Sequence, residues 1–328
     1  MIYTLVALED RPYLLWQLQV QIYNMKKTQS HEIMKRYHIV ILYTNRPSTD
    51  AQRLALSHNV ILINLLLLDK IYIDAIDRYP ALVKSFALHQ FQLYMKQRFS
   101  MWSKGSAIFL IDPDVIFTRS IESEFGSLVK NVVHHRIWYM TNCSDYLDYH
   151  FLRQWLSKTQ LEQLTRLCSV ELNDFRSYIN RTGGCQYLLP SEFLPSTFAL
   201  KVFQSAIQIF DKLQSFNNEQ SQIKFVWCAE MLAFFFQALR ATKEYKIRIQ
   251  TPPCFDHMLS NTKYKEHHAF IIHLSGDIKE GGYFDKTLYW NRPPWDPHHI
   301  STLRNVTKKE SASFLYLTWL LRFCLEEH

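Results

Sequence analysis

Three features of the sequence predict an α/β fold, Rossmann-type in layout, with a mixed, largely parallel sheet flanked by helices on both faces. Short β-rich apolar runs alternate with stretches whose apolar residues recur at helical spacing. No internal repeat or low-complexity linker breaks the alternation. The run Ala107 to Ile111 is too short for a helix and apolar throughout, as a strand covered on both faces requires. It ends on Asp112-Pro113-Asp114, after which Val115-Ile116-Phe117 resumes the pattern, which places the acidic turn inside the sheet. The 328 residues suffice for one large domain, with a nucleotide-binding type of layout over 1–120 and a more helical half over 121–328.

Taken in order, residues 2–7 read as the first strand. A helix follows, with Asp10 as candidate N-cap, Pro12 in the first turn, and Leu15, Leu18, Ile22 and Met25 on one face. Strands at 38–43 and 60–65 bracket a short helix at 48–57, and a helix at 85–99 leads into the acid-bearing strand. In the second half, residues 151–168, 197–216 and 225–241 carry helical spacing, and 186–189 reads as a strand. Gly183-Gly184 precedes that strand in a chain with only 7 glycines, so the pair marks either positive φ or close backbone approach to another group, or else an ordinary turn. Residues 269–273 form a strand ending on His273, followed by a loop at 274–289 and the Trp/Pro segment 290–297. Residues 309–327 read as an amphipathic packing helix.

Composition excludes several classes. A content of 48% hydrophobic and 15% aromatic residues is that of a packed protein, not a disordered chain. The formal charge of +7 comes from 37 basic and 30 acidic residues scattered as pairs such as Lys26-Lys27 and Lys35-Arg36, so no basic run suits nucleic acid. Six scattered cysteines without Cys-x-x-Cys spacing argue against a zinc site or a disulfide framework and for buried, reduced thiols. The longest apolar stretches, 60–68 and 314–321, fall short of the roughly 20 residues a transmembrane helix needs. The opening residues read as a strand and not as a signal peptide, which predicts a cytoplasmic address and makes the sequons at Asn142, Asn180 and Asn305 accidental.

The chemistry centres on Asp112 and Asp114. Two carboxylates at the carboxyl end of a buried strand stand where ligands bind in open α/β sheets, and Pro113 stiffens the turn that presents them. Hard cations such as Mn²⁺ and Mg²⁺ are held by one or two carboxylates together with substrate phosphates. A metal-diphosphate site is therefore expected, against the alternative of a solvated turn closing a core strand.

An ordered set of motifs then carries a family resemblance over most of the chain. Ile111-Asp-Pro-Asp-Val-Ile-Phe117, Trp227-Cys-Ala-Glu230-Met231-Leu-Ala-Phe234, Ile249-Gln-Thr-Pro-Pro253, Phe270-Ile-Ile-His273 and Phe284-Asp-Lys286-Thr-Leu-Tyr289 occur in that order. The chain resembles the eukaryotic hydroxyproline O-arabinosyltransferase and peptidyl-serine α-galactosyltransferase-like family, GT-A glycosyltransferases that use nucleotide sugars. The resemblance implies a UDP-sugar donor, a protein or glycan acceptor received by the 121–328 half, and retention of anomeric configuration. By role it implies Asp114 as direct metal ligand, Asp112 on the ribose or the metal, and His273 completing the metal shell. Lys84 and Lys286 would meet the diphosphate, with a solvated surface lysine as the alternative for Lys286, and Trp290 and Trp295 would lid the site or simply pack. Apart from the resemblance, the scarcity of glycine makes Gly183 and Gly184 candidates for close approach to the donor. Glu230 would face the donor sugar or the acceptor hydroxyl, with a structural ion pair as its alternative.

Departures from the family pattern are equally specific. Asp112 stands where the family has glutamate, and Lys84 where it tends to have arginine, which turns a bidentate phosphate clamp into a point charge. Gly183-Gly184-Cys185 and the region from Cys143 to Asn180 do not follow the family, and its membrane anchor is absent. Two other classes remain: a nucleotidyltransferase, which lacks here a Gly-rich phosphate loop after the first strand, and a non-catalytic binding protein of the same shape.

Overall fold

The structure is a computed structural model that describes residues 1–98, 105–191, 194, 195, 197–219, 226–255, 257–264, 269–274, 281–297, 299, 303 and 306–327. Phe99 and Phe225 at expected helix ends, residues 275–280 of the expected loop, and Asn305 lie outside the described residues. The strands are β1 Ile2–Glu9, β2 Tyr37–Tyr43, β3 Asn59–Asn64, β4 Ala107–Ile111, β5 Val115–Phe117, β6 Ile137–Asn142, β7 Gly183–Pro190, β8 Arg248–Gln250, β9 His257–Met258 and β10 Ile271–His273. A 7-stranded sheet has the order β3-β2-β1-β4-β7-β6-β8. β1 to β4 are mutually parallel where they pair, β7 runs antiparallel to β4 and β6, and β8 is parallel to β6. The two halves of the chain thus share one sheet through the β4–β7 pair, and the expected mixed, largely parallel α/β layout is the observed one.

Strand periodicity of two divides the core between the sheet's faces. Leu5, Ala7, Val40, Leu42, Ile108 and Leu110 point to the face covered by the helices Val83–Arg98, Phe198–Glu219 and Ala229–Tyr245. Val6, Leu8, Ile39, Ile41, Phe109 and Ile111 point to the face covered by the helices Pro12–Thr28, Thr49–Ser57 and Ile121–His135. Leu15, Leu18, Ile22 and Met25 of the Pro12–Thr28 helix face this second layer as the spacing predicts. Its other side is buried too, because Trp16, Val20 and Tyr23 pack on the Ala312–Glu327 helix. Among the described residues no helix is long and apolar enough to cross a membrane.

Two expectations need correction. The acidic turn does not lie inside one sheet: β5 leaves the main sheet and forms a 3-stranded sheet of order β5-β10-β9. The reason sits on the first helix, where the buried Gln21 amide donates to the carbonyls of Asp112 (2.8 Å) and Val115 (2.7 Å) while Asn24 exchanges hydrogen bonds with Phe117 N and O. These side chains supply part of the pairing that a sheet neighbour would, and leaving such buried carbonyls unmet would cost about 1–3 kcal/mol each. Asp10 does not cap the first helix either. Arg11 occupies that N-cap position, and Asp10 instead accepts from the backbone N–H and the hydroxyl of Ser48, both at 2.6 Å, tying β1 to the capping residue of the Thr49–Ser57 helix.

Candidate active site

The turn Asp112-Pro113-Asp114 and the end of β1 meet at a cleft of about 1200 Å³. β1 is flanked by β2 on one side and β4 on the other, so the strand order reverses here, and the carboxyl ends of such strands leave a natural crevice. Antiparallel pairing in the small sheet sets His273 opposite Val115, and the N–H of Leu274 donates to the carbonyl of Asp114 at 3.1 Å. That register brings residues 159 positions apart in the chain into one cluster: His273 Nε2 lies 3.4 Å from Asp114 Oδ1 and 3.7 Å from Asp112 Oδ2.

The cluster is strongly charged and shielded from water. Asp114 is 4% exposed, and Lys286 Nζ contacts its Oδ2. Burial by itself would raise this carboxyl, but Lys286 and His273 hold it well below the usual carboxylate range. Burial likewise works against a proton on His273, yet the Asp114 charge wins and raises the imidazole to about 10. Lys84 Nζ makes an ion pair with Asp112 Oδ1 at 2.6 Å, donates to the carbonyl of Cys185 at 2.8 Å and lies 5.8 Å from the centre of the Tyr187 ring. Against the pull of burial, Asp112 and then Glu230 keep it firmly protonated. Glu230 is 3% exposed, and burial pushes its carboxyl up to about 7, with Lys84 opposing the rise.

Ligand atoms of Asp112, Asp114 and His273 all lie within 4.8 Å of one another, a donor set of two carboxylates and an imidazole that fits a divalent cation. Asp114 Oδ1 is buried, and beyond the 3.4 Å contact with His273 Nε2 it meets no hydrogen-bond partner among the described residues, which leaves it free to bind an ion once that imidazole is neutral. Neighbouring ligands of a small divalent ion stand about 3 Å apart at bond lengths of ~2.1 Å, so the 3.4 Å pair needs only a small contraction. Because a bound imidazole must be neutral, an ion entering here displaces the His273 proton.

The structure therefore brings Asp112, Asp114, His273, Lys84, Lys286, Glu230 and Trp290 to one place. All but the buried Asp114 line the cleft. Trp290 packs on Tyr13 with ring centroids 4.4 Å apart and remains 56% exposed at the rim. Trp295 instead packs on Phe323 of the C-terminal helix, 5.2 Å between centroids, in the layer behind the first helix. Gly183 and Gly184 are buried in β7 and lie outside the cleft lining. A Cβ on Gly183 would stand 2.4 Å from Met140 Cβ, so the close approach is to the protein's own core, and the positive φ falls just after the pair, on Cys185 (φ 61°). There β7 bulges against β6, which aims the Cys185 carbonyl at Lys84.

Sequence reasoning missed Tyr13, Arg11, Tyr146, Cys185, Trp227 and His257 as cleft residues. Their one legible signal was proximity in sequence to motifs: Arg11 and Tyr13 follow β1, Cys185 follows the glycine pair, and Trp227 heads the Glu230 motif.

No protein-family model matches the chain, and no curated protein sequence matches it. Among solved structures the chain is similar to mouse xyloside xylosyltransferase 1 in its apo form, at 12% identity and a TM-score of 0.42 over 83% of this chain and 97% of that one. It is similar to the bifunctional glycosyltransferase WbbM at 10% identity and a TM-score of 0.44, covering 97% of this chain and 51% of that one. A third likeness, to the glycosyltransferase GlyE of Streptococcus pneumoniae, has 10% identity and a TM-score of 0.36, covering 98% of this chain and 64% of that one. The chain thus spans about half the length of WbbM and somewhat less than two thirds of GlyE. All three are glycosyltransferases, but at these identities and TM-scores the likeness adds nothing to the site chemistry. The narrower hydroxyproline O-arabinosyltransferase resemblance rests on its motifs alone.

Proposed function

We propose that the chain is a metal-dependent glycosyltransferase that moves a pentose or hexose from a UDP-sugar to a hydroxyl of a protein or glycan acceptor. The observation that carries this reading is the convergence of Asp112, Asp114 and His273 with Lys84 and Lys286 in a cleft at the carboxyl ends of β1 and β4. Retention of configuration rests on the family resemblance.

Asp112, Asp114 and His273 would hold Mn²⁺ or Mg²⁺, which supplies Lewis-acid neutralisation of a diphosphate leaving group. Lys84 and Lys286, whose pKa values both stand above the ordinary lysine value, present fixed positive charge to the same group without a cost of reorganisation. Glu230 faces the transferred sugar or the acceptor hydroxyl. With its carboxyl raised to about 7 it donates a hydrogen bond in its acid form and accepts one in its ionised form near neutral pH. Trp290 and Tyr13 cover the rim of the cleft and limit water, the competing acceptor that would hydrolyse the donor.

Incubation with a panel of UDP-sugars and Mn²⁺ tests the reading. Slow release of UDP, abolished in Asp114→Asn, is the expected result. Release of pyrophosphate from nucleoside triphosphates would point to a nucleotidyltransferase. Binding of UDP-sugar with neither product would leave a non-catalytic binding protein.

A further inference from the structure

The groups assigned to the diphosphate leave one wall of the cleft unexplained. Trp227 lines it while remaining 57% exposed, an unusual surplus of apolar surface for so large a side chain. Its main chain is fixed: the Tyr79 hydroxyl donates to the Trp227 carbonyl at 2.6 Å and accepts from the Glu230 N–H at 2.9 Å. Tyr79 is itself stacked on Phe210, 4.5 Å between centroids at 17°. Tyr146 flanks the indole, with centroids 5.8 Å apart at 32°, and its hydroxyl lies 3.0 Å from Cys143 Sγ and 3.1 Å from Cys185 Sγ. The aromatic plate is thus anchored at both residues before any ligand arrives, and such preorganisation lowers the entropic cost of binding.

Three residues after Trp227, at the start of the Ala229–Tyr245 helix, Glu230 lines the same wall. Its side chain is buried, and Oε1 has no hydrogen-bond partner among the described residues. A buried carboxyl oxygen left unmet is costly and is the kind of group a ligand hydroxyl satisfies. Met231 and Leu259 add apolar surface to the lining of the same cleft. Sugar rings match this combination, with a flat C–H face for the indole and a rim of hydroxyls for the carboxyl. A peptide would seek main-chain partners, and the Trp227 carbonyl and Glu230 N–H are already engaged by Tyr79.

We propose that Trp227 and Tyr146 form the platform of a carbohydrate acceptor subsite, on which an acceptor sugar ring lies with its apolar face against the indole and one hydroxyl on Glu230 Oε1. The acceptor is then a glycan rather than a bare peptide. This deepens the glycosyltransferase reading and rests on it for the word acceptor, but the binding site itself is independently measurable.

The test uses the full chain and intrinsic fluorescence, with methyl pyranosides as probes and a serine- or hydroxyproline-containing peptide as the contrast. Methyl pyranosides are expected to change the emission of the wild-type protein saturably, to fail to do so in Trp227→Ala, and to keep a weakened effect in Trp227→Phe, which is read through the remaining tryptophans. Where transfer is measurable, Trp227→Ala is expected to raise the acceptor KM about tenfold with less effect on kcat, the scale of one aromatic contact. Saturable binding of the peptide but of no pyranoside would overturn the proposal, as would pyranoside binding that survives unchanged in a folded Trp227→Ala. Should Trp227→Ala fail to fold, protection of the wild-type indole at position 227 from N-bromosuccinimide by pyranosides decides the same question, and no protection overturns the proposal. UDP stabilisation by Mn²⁺, measured on the wild type in parallel, reports the donor end alone, so failure of the glycosyltransferase reading and failure of this subsite give different results.

Discussion

Replacing Glu230 with glutamine should make the protein more stable above neutral pH and leave it unchanged in acid. The carboxyl sits 3% exposed, and burial shifts it from an ordinary 4.5 to about 7. A folded-state pKa above the unfolded one means that stability is fully present below about pH 4.5 and is lost as pH rises through about 7, because folding then holds a charge in a poor medium. The rise from 4.5 to about 7, at about 1.36 kcal/mol for each tenfold change in proton affinity, gives about 3 kcal/mol. Glutamine mimics the protonated acid in size and hydrogen bonding, so the variant escapes this cost. Urea denaturation at pH 4.5, 6, 7.5 and 9 should show wild type and Glu230→Gln converging at the acid end and separating by up to ~3 kcal/mol at the basic end. A constant gap across that range would refute the reasoning, since it would mean that Glu230 ionises in the folded protein as it does in the unfolded one. The same variant should bind UDP normally and transfer sugar poorly; full transfer by a folded Glu230→Gln would remove Glu230 from the site.

Lys286→Met strips Asp114 of its closest cation and should cost roughly 3–5 kcal/mol by thermal or urea unfolding without metal, with saturating Mn²⁺ recovering most of the loss; equal losses with and without Mn²⁺ would separate Lys286 from the ion site. Since the His273 imidazole is raised to about 10 and must lose its proton to bind an ion, Mn²⁺ affinity should climb with pH from 7 to 9, as titration calorimetry with proton-release correction would record; a flat profile would exclude His273 as a ligand. Gly183→Ala should destabilise the fold by about 1–3 kcal/mol through the clash with Met140 and leave UDP affinity intact in the folded fraction, whereas normal stability with lost UDP binding would return the glycine to the donor site.

The sheet was legible where side-chain pattern and burial coincide. β4, buried on both faces, was read to the residue, and the 85–99 and 197–216 helical spacings correspond to the helices Val83–Arg98 and Phe198–Glu219. The Ile121–His135 helix went unread although Ser120 caps it and Ile121, Phe125, Leu128 and Val132 recur at helical spacing on its buried face; Gly126 and the valines lower only its intrinsic propensity. β8 was invisible for another reason: a short strand at the sheet's far edge acquires its identity only from its partner, here β6, which went unread as well. At the site, the acidic pair and His273 were legible as motifs, but their meeting depends on the β5–β10 register, which is fixed by long-range pairing. The polar side chains that set up that register, Gln21 and Asn24, sit on a helix face that amphipathic reasoning assigns to solvent, and the segment that covers it, Asp112 to Phe117, lies about ninety residues further along the chain. Gly183 and Gly184 mislead in isolation, because scarcity marks a constrained glycine without saying whether a ligand or the core imposes the constraint.

The most direct measurement is the thermal stabilisation of the wild-type chain and of Asp114→Asn by UDP, each with Mn²⁺ and with EDTA. If the diphosphate is held through an ion on Asp112, Asp114 and His273, UDP at about 100 times its dissociation constant adds roughly 2.7 kcal/mol to the wild type in Mn²⁺, little in EDTA, and little to Asp114→Asn in either. Equal stabilisation of the wild type in Mn²⁺ and EDTA, or full Mn²⁺-dependent stabilisation of Asp114→Asn, would contradict a metal-diphosphate site at this cluster.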